Sequence, residues 1–411
     1  MIWRFGWVPL AALLAAQAGY AQPIGFDEAL QAAREELPAV QARGLEVEAM
    51  RETASAADEL PDPRLSGGLV NAPVTGPVAF ELDGTEMTML QVGIDQEIPN
   101  LAKRHARRGL ADAETDLAQA RLVHASHDAA VEAGQAWVTL AFAQRRFGLA
   151  TERLEELRAL VPLAQSAAAA GSARPAQTLE IRRALIEVEN ALTAVEGDRA
   201  GAQAQLSRYT SLRAPVAEGE APPVDLDPEL LRASLTRNPE LAVADAARDR
   251  ASAAIDLARA DKRPDFGVSV SYGRRDQQFG DLVSVMGSVT LPIFAGRRQN
   301  PRIAAAEAEA SAAQAEREDR LRGLQAQFET DLADWQSAML QWQRTRDELL
   351  PLARERADLE TASYGAGRAG LLDVIAAKTE LVLLELEILD LEATAVAAAT
   401  KLRLTYREHG Q

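Results

Sequence analysis

The stretch "GIDQEIPNLAKRHARR" at residues 93–108 resembles "SVTLPIFAGRRQNPRI" at residues 288–303. In both, a run of alternating polar and apolar residues ends at a proline, and a polar turn and basic residues then open a long helical pattern. The two prolines, Pro99 and Pro292, are 193 residues apart. A strand-to-helix junction that occurs twice predicts an internal duplication of the chain.

Three further pairs of proline or glycine residues, at matching positions near the ends of predicted elements, support the duplication. Pro38 and Pro239, and likewise Pro63 and Pro264, are 201 residues apart, and Gly171 and Gly367 are 196 residues apart. Ordered matches at nearly constant spacing indicate two structural repeats. The predicted organisation is a signal peptide at 1–21, a first repeat at 22–215, a linker at 216–224 and a second repeat at 225–411.

Both repeats have the same predicted order of elements. A helix comes first, followed by a β-hairpin, a very long helix, a tip and a returning helix. Pro162 and Pro351 predict a kink or break near the far end of the long helices. The predicted bounds are about 26–59, 63–99, 103–168, 162–177 and 175–211 in the first repeat, and 227–260, 264–292, 301–363, 364–373 and 371–407 in the second.

The hairpins carry strictly alternating residues. Phe266, Val268, Val270 and Tyr272 alternate with small residues, over the roughly 9–11 residues that a membrane-spanning strand needs. Alternation alone also fits a soluble, half-buried hairpin. Four strands cannot close a membrane barrel, which needs at least about 8, and open edges do not survive in lipid. We therefore expect the chain to share its barrel with copies of itself.

The resulting fold class is mainly α with a transmembrane β-barrel contribution, continued by a helical tube. Long helices with apolar residues spaced alternately three and four apart, such as Leu381, Leu384, Ile388 and Leu391, are typical of coiled-coil seams. In the alternation of the first hairpin, Asp95 and Glu97 lie opposite the apolar residues. We expect these two carboxylates to face the barrel lumen.

Composition excludes several classes of function. The 411 residues include 44 basic and 61 acidic residues, a net charge of −17, which argues against a nucleic-acid partner and favours cations in any lumen. The absence of cysteine excludes disulfides, thiolate metal sites and an acylated cysteine. Residues 1–21 have the pattern of a secretory signal, and no later apolar stretch reaches the roughly 20 residues of a spanning helix, so any membrane passage is expected through strands.

Several polar clusters admit two interpretations. The basic residues after each hairpin are either solvated helix starts or contacts to the phosphate headgroups of outer-membrane lipid. His124 and His127 could share an ion, and Met87 and Met89 could bind a soft metal, but structural roles are favoured and no metal site or cofactor is predicted. The basic residues are Lys103, Arg104, Arg107, Arg108, Arg297, Arg298 and Arg302.

The duplicated order resembles the TolC-type outer-membrane efflux channels over essentially the whole mature chain. The stretches "LPDPRLSGGLVNAPVTGPVAF" and "MTMLQVGIDQEIPNLAKRHAR" are most similar to the branch that serves cobalt–zinc–cadmium and copper–silver exporters. The resemblance implies a homotrimer whose twelve strands form one barrel above a periplasmic α-barrel. It also implies a periplasmic adaptor and an inner-membrane pump of the resistance–nodulation–division type as partners, and no enzymatic activity.

In that family the two tips close the periplasmic mouth. "SYGAGRAGLLDVIAAK" matches the family's pattern at Tyr364, Gly367 and Asp373, with Arg368 one place before the family's arginine position. An acidic position of the family falls on Ala376, so the acidic ring is expected to be weaker here. In the first tip the corresponding residues are Gly171, Arg174 and Gln177. Simple helical turns with glycine caps would explain the glycines equally well.

Two alternatives to a metal-export duct stay open at this point. The same duct could carry drugs, or proteins in type I secretion, because a passive duct need not bind its cargo. A protein of another class, a periplasmic coiled-coil adaptor or scaffold, would also use long helices. Such an adaptor does not need two duplicated strand pairs that end at a proline.

Overall fold

The structure is a computed structural model that describes residues 22–81, 85–162, 165–166 and 175–406, with the side chains of 175–178 left out. The predicted signal peptide at 1–21 and the tip residues Gly171 and Arg174 lie outside the described residues, and so does the side chain of Gln177.

The described chain follows the predicted order of elements twice. The first repeat comprises β1 (Gln22–Ile24), α1 (Phe26–Glu36), α2 (Pro38–Ala56), β2 (Arg64–Val70), β3 (Met89–Ile98), α3 (Leu101–Arg158) and α4 (Pro175–Tyr209). The second comprises β4 (Pro215–Ala217), α5 (Pro228–Ser234), a 3₁₀ turn (Leu235–Arg237), α6 (Pro239–Ala260), β5 (Asp265–Arg274), β6 (Leu282–Thr290), α7 (Gln299–Arg344), a π-helical turn (Thr345–Leu349), α8 (Leu350–Gly365) and α9 (Leu371–Tyr406).

The prediction of one continuous helix at the start of each repeat is wrong. Each is broken immediately before a proline, because the proline ring drives the preceding residue into an extended conformation. Leu37 has φ −64° and ψ 123°, and Asn238 has φ −62° and ψ 135°. The side-chain oxygen of Asn238 then accepts a hydrogen bond from the Glu240 amide at 2.9 Å and caps α6.

Two further differences concern connections. The segment predicted as a linker at 216–224 begins inside β4, which pairs in parallel with β1 through Pro23 with Val216 and Ile24 with Ala217. Strands of three residues carry too little alternation to be predicted from sequence. The helix α3 ends at Arg158, short of the predicted position 168 and four residues before Pro162.

The second long helix changes its winding next to its proline. The π-helical turn Thr345–Leu349 precedes Pro351, which has no amide hydrogen to continue the α-helical ladder. A π-turn relaxes the spacing of carbonyls at that point, so the helix continues as α8. None of the described helices is both long enough and apolar enough to cross a membrane.

The described residues group into two compact units. The helical unit lies within Met1–Leu37, Asp128–Leu231 and Glu329–Arg407, and the sheet unit lies within Pro38–His127 and Arg232–Phe328.

The core of the helical unit is built around Trp137, which is fully buried. Its indole nitrogen donates to the Ile24 carbonyl at 2.9 Å, and the ring meets Phe26 edge-on with centroids 5.5 Å apart. Gly134, one turn earlier on α3, allows close packing, because a Cβ there would lie 2.7 Å from the Cδ1 atom of Leu404. The core therefore joins α1, α3 and α9 through one tryptophan and one glycine.

The sheet unit contains a four-stranded antiparallel sheet in the order β2–β3–β5–β6. The two hairpins meet through β3 and β5, where Ile94 pairs with Val270 and Asp95 with Ser269. Within the hairpins, Leu65 pairs with Ile94, and Val270 with Val285. The first and last strands, β2 and β6, are the outer strands of the sheet.

Candidate functional site

Most apolar residues of the four strands share one face of the sheet, while Val70, Met89, Leu282 and Met286 lie on the other. The register places them in continuous cross-strand rows, because side chains alternate between faces along each strand. Leu65 is 76% exposed and Val285 is 72% exposed in the single chain. An apolar surface this continuous indicates a lipid or a partner against it. The face comprises Leu65, Leu90, Val92, Ile94, Phe266, Val268, Val270, Tyr272, Val283, Val285 and Val289.

Asp95 and Glu97 lie on the opposite, polar face. Asp95 accepts a hydrogen bond from the Ser66 hydroxyl at 3.3 Å, and Glu97 forms an ion pair with Arg64 at 3.2 Å. Both acids are exposed, and their neighbours across β5 are Ser269 and a glycine. The face is therefore open and acidic, with its negative charge partly balanced by one arginine.

Gln96 is a polar residue on the apolar face, as is Arg274 at the end of β5. Its side-chain amide donates to the Pro61 carbonyl at 2.7 Å and to the Glu97 carbonyl at 2.8 Å. These bonds satisfy the amide within its own chain, so a polar residue is accommodated near the end of β3.

The junction between β3 and α3 is held by Asn100, which is only 8% exposed. Its side-chain oxygen accepts from the Lys103 amide at 2.8 Å and caps α3. Its backbone amide and its side-chain amide both donate to Oδ1 of Asp265, each at 2.9 Å. One asparagine thus ends a strand, starts a helix and attaches the first repeat to the first residue of β5.

Lys103 completes this junction. Its ammonium lies 3.0 Å from Oδ2 of Asp265 and 2.9 Å from Oδ1 of Asp261. Burial alone would lower the pKa of Lys103, but hydrogen bonds to Asp261 and Asp265 and their negative charges outweigh it and raise that pKa above its ordinary value. The lysine therefore stays charged, and both carboxylates are occupied.

The second junction, between β6 and α7, is built differently. Two residues separate β3 from α3, whereas the β6–α7 turn, residues 291–298, has eight. The guanidinium groups of Arg297, Arg298 and Arg302 make no ion pair with any carboxylate of the described chain. The predicted basic clusters are thus unlike: Lys103 is paired in the first, while the arginines of the second are not.

The tip between α8 and α9 is a tight, glycine-dependent turn. Gly367 has φ +70°, which side chains rarely adopt, and the amide of Arg368 donates to the Ser363 carbonyl at 2.8 Å. A carboxylate oxygen of Asp373 accepts from the Gly370 amide at 2.9 Å and fixes the start of α9.

Tyr364, Arg368 and Asp373 are exposed around this turn. Within the described residues, no hydrogen bond joins these three side chains to one another. Asp373 is already used in capping its own helix. The single chain therefore presents the three predicted gate residues outward as separate polar groups.

Ion pairs join the helices behind the tip. Glu385 on α9 is largely buried, with its side chain 10% exposed, and it accepts from Arg153 at 3.0 Å and from Arg354 at 3.2 Å. Beside it, α4, α8 and α9 enclose an open groove of about 640 Å³ with an apolar floor that includes Leu352 and Ile375. These contacts hold the tip helices together.

The candidate metal ligands His127 and Met89 lie in different surroundings. In the described part of the chain, no group of three histidine, cysteine, aspartate or glutamate residues is arranged to hold an ion. His127 is buried, and Met89 lies over Gly273, where a Cβ would be 2.5 Å from its sulfur. Packing accounts for the Met89 side chain, in line with the structural role favoured by its sequence context.

The clamp formed by Asn100 and Asp265 was not predicted from the sequence. The signal was present, because asparagine after a proline and before a helical pattern is a typical N-cap. That the same asparagine would contact Asp265, which is 165 residues away, required the register of β3 against β5.

The sequence model of the family described as outer membrane efflux protein matches residues 29–211 and 230–405. This chain belongs to the outer membrane efflux protein family. The cobalt-zinc-cadmium resistance protein CzcC of Cupriavidus metallidurans is 26% identical over 327 residues, which cover 77% of this chain and 76% of CzcC.

Solved structures confirm the predicted fold class of this family member. A membrane protein from Pseudomonas aeruginosa matches with a TM-score of 0.79 at 19% identity, covering 93% of this chain and 90% of that protein. The structure of CusC, which reports transmembrane channel formation, matches with a TM-score of 0.74 at 17% identity and covers 97% and 96% of the two chains. The efflux-channel resemblance inferred from the duplicated order is thereby confirmed.

We expect Asn100→Asp to lower the melting temperature of the purified protein. The new carboxylate keeps the cap on α3 but cannot donate to Asp265, and it places like charges about 3 Å apart. The expected cost is about 1–3 kcal/mol, measured by circular dichroism on heating. The control is Asn300→Asp, an exposed residue near the start of α7. Equal melting temperatures for both variants would show that the Asn100 clamp is not needed for stability.

Proposed function

We propose that this family member is the outer-membrane channel of a tripartite efflux system and serves as a passive duct for heavy-metal cations. The observation that carries the proposal is the four-stranded sheet with one continuous, exposed apolar face and one polar face. A sheet of this kind is suited to lie between lipid and water. It is not what a purely periplasmic coiled-coil adaptor needs.

Four strands per chain call for copies of the chain. The outer strands β2 and β6 each pair on one side only within the described sheet, so the outer edge of each is unpaired. In lipid, each unpaired backbone group would cost several kcal/mol, so a closed barrel built from several chains is the stable arrangement. We propose a homotrimer of twelve strands, with its apolar face in the outer membrane and its helices in the periplasm.

The polar face then lines the lumen. Asp95 and Glu97 are exposed on it, and the whole chain has a net charge of −17. An acidic lumen concentrates cations and repels anions. The similarity to the cobalt-zinc-cadmium resistance protein CzcC supports metal cations as the cargo.

A passive duct needs an energy source elsewhere. We propose that a periplasmic adaptor connects this channel to an inner-membrane pump of the resistance–nodulation–division type. The tip at Gly367 is the part of the described chain that we assign to the closed mouth, with Tyr364, Arg368 and Asp373 reaching neighbouring copies. Their exposure in the single chain supports that assignment, and Asp373 bonds in addition to the Gly370 amide of its own turn.

The membrane assignment predicts different outcomes for two adjacent substitutions on β6. We expect Val285→Arg to reduce assembly in the outer membrane, because its charge would face lipid at a cost of about 2–4 kcal/mol near mid-bilayer. Ser284→Arg, on the polar face, is the matched control and should assemble normally. Yield in isolated outer membranes is the measurement, and equal yields would contradict the assignment of the faces.

The gate assignment predicts a larger conductance after loss of the tip contacts. We expect the double variant Tyr364→Phe and Asp373→Asn to raise the single-channel conductance of the isolated protein in planar bilayers. The asparagine keeps an acceptor for the Gly370 amide, so α9 should still start normally. Glu355→Gln, an exposed acid earlier on α8, is the control. Unchanged conductance in the double variant would remove both residues from the gate.

The cargo assignment is tested by deleting the gene. We expect the deletion strain to become more sensitive to cobalt, zinc, cadmium, copper or silver than to bulky antibiotics or detergents. Growth inhibition is the measurement, and complementation with the intact gene is the control. A change confined to drug or bile-salt tolerance, or a loss of protein secretion, would overturn the metal cargo and leave the duct in place.

A further inference from the structure

The unpaired arginines of the second junction face a small pocket in the sheet unit. The pocket, of about 210 Å³, is lined by Lys103, Asp261, Arg263, Asp265, Arg298 and Arg302 together with residues of the β6–α7 turn. Its two carboxylates are already bound to Lys103, at 2.9 and 3.0 Å. The four cationic groups outnumber the two anionic groups, and Arg298 and Arg302 are exposed, so this surface is suited to an acidic partner.

Unpaired acids occur at the other outer edge of the sheet. The α2–β2 turn, residues 57–63, contains Asp58, Glu59 and Asp62. Glu59 and Asp62 are exposed and make no ion pair in the described chain, while Asp58 approaches Arg108 only to 3.7 Å. One edge thus carries spare positive charge and the other edge spare negative charge.

The internal duplication relates these two edges. Within the chain, β3 of the first repeat pairs with β5 of the second, with Glu97 opposite Gly267 and Ile98 opposite Phe266. The prolines match β3 to β6, through Pro99 and Pro292, and β2 to β5, through Pro63 and Pro264. The outer strand β6 is therefore the repeat counterpart of β3, and the outer strand β2 is the repeat counterpart of β5. In the middle of the sheet, β3 and β5 pair with each other.

The same register can be applied to the outer strands of two copies. It places Thr290 opposite Ser66 of the next copy, and Leu291 opposite Leu65. The faces agree, because Thr290 and Ser66 belong to the polar face and Leu65, 76% exposed, belongs to the apolar face. Leu291, 63% exposed, follows Thr290 directly, and continued alternation would place it on the apolar face. A slip by one residue would put apolar against polar side chains.

In the proposed barrel, β6 of one copy pairs with β2 of the next. We propose that, in the register above, Arg298 and Arg302 bind the acids of the next copy's α2–β2 turn. The inference rests on the proposed assembly of copies and specifies its interface. The junction between β3 and α3 shows a similar contact within one chain, because Asn100 there donates to the carbonyls of Ala260 and Arg263 at the end of α6. The counterpart of that α6–β5 turn in the first repeat is the α2–β2 turn.

A second copy fits the arginines better than lipid phosphate does. Asp265 and Thr290, which line the pocket, are cross-strand partners on the polar face of the sheet. Lipid would cover the apolar face instead. Carboxylates from a neighbouring copy would also neutralise cationic groups at the entrance of a lumen that is otherwise acidic.

The register is tested by cysteine cross-linking, since the native chain contains no cysteine. Paired antiparallel residues have Cα atoms about 4.5–5.5 Å apart, within disulfide range, whereas a shift of two residues gives about 7–8 Å. We expect the full chain with Thr290→Cys and Ser66→Cys to form interchain disulfides in native membranes. Thr290→Cys with Gly68→Cys, two residues out of register on the same face, is the matched control and should not.

Non-reducing gel electrophoresis reads out this experiment. Covalent oligomers from the first pair alone support the inference. Cross-linking by both pairs equally, or by neither while the unmodified chain remains trimeric, overturns the register but leaves the proposed channel. A chain that is monomeric in the membrane would overturn the inference and the proposed assembly together.

The ion pairs are tested by charge reversal and rescue. We expect Arg298→Glu with Arg302→Glu to lower the ratio of trimer to monomer after a heat challenge by about fivefold or more. Adding Glu59→Arg and Asp62→Arg should restore the ratio, because the complementary charges are then exchanged. Arg297→Glu, in the same turn but outside the pocket lining, is the control and should change the ratio little.

Failure of the rescue overturns the pairing between copies. If the arginine variant instead loses co-purified phospholipid, measured by phosphate content after extraction, the arginines bind lipid headgroups. If the control variant weakens the trimer as strongly as the pocket variant, the effect is general electrostatic attraction, and the specific pairing is wrong.

Discussion

The contact between Asn100 and Asp265 is the constraint on which the sheet and its helices depend. A strand that ends in a helix leaves unsatisfied amides at the helix start, and burial makes each of them expensive. Asn100 satisfies one amide of α3 and at the same time donates twice to Asp265, the first residue of β5. Lys103 occupies the remaining oxygen of Asp265 and binds Asp261. The junction between β3 and α3 in the first repeat is thereby attached to the turn between α6 and β5 in the second repeat.

This attachment explains why the two hairpins form one sheet with consistent faces. Once β3 and β5 are held in register, most apolar side chains of the four strands fall on one face, and the serines, Asp95 and Glu97 fall on the other. A sheet of four strands with both outer edges unpaired is incomplete as a membrane structure. In the proposed assembly, copies of the chain pair along these edges, where exposed arginines and acids offer complementary charges.

The two junctions show how a duplicated chain can serve two different contacts. The junction between β3 and α3 has a short turn, and the charge of Lys103 there is neutralised by carboxylates of the same chain. The junction between β6 and α7 has a turn of eight residues, and its arginines make no ion pair in the described chain. In the proposed assembly, the two occurrences of one sequence pattern contact different neighbours, one in the same chain and one in another copy. The helical tips follow the same logic, since Asp373 caps its own helix while Tyr364 and Arg368 stay exposed.

The sequence by itself determined the duplication, the element order and the two faces of the sheet, because proline spacing and strict alternation are local and periodic signals. It also located the glycine turn at Gly367. Only the tertiary structure decided the breaks before Pro38 and Pro239, the pairing of β1 with β4, and the clamp of Asn100 on Asp265. Proline restricts its neighbour locally, but whether a helix ends there depends on packing. A hydrogen bond across 165 residues depends on strand register, which no local pattern encodes.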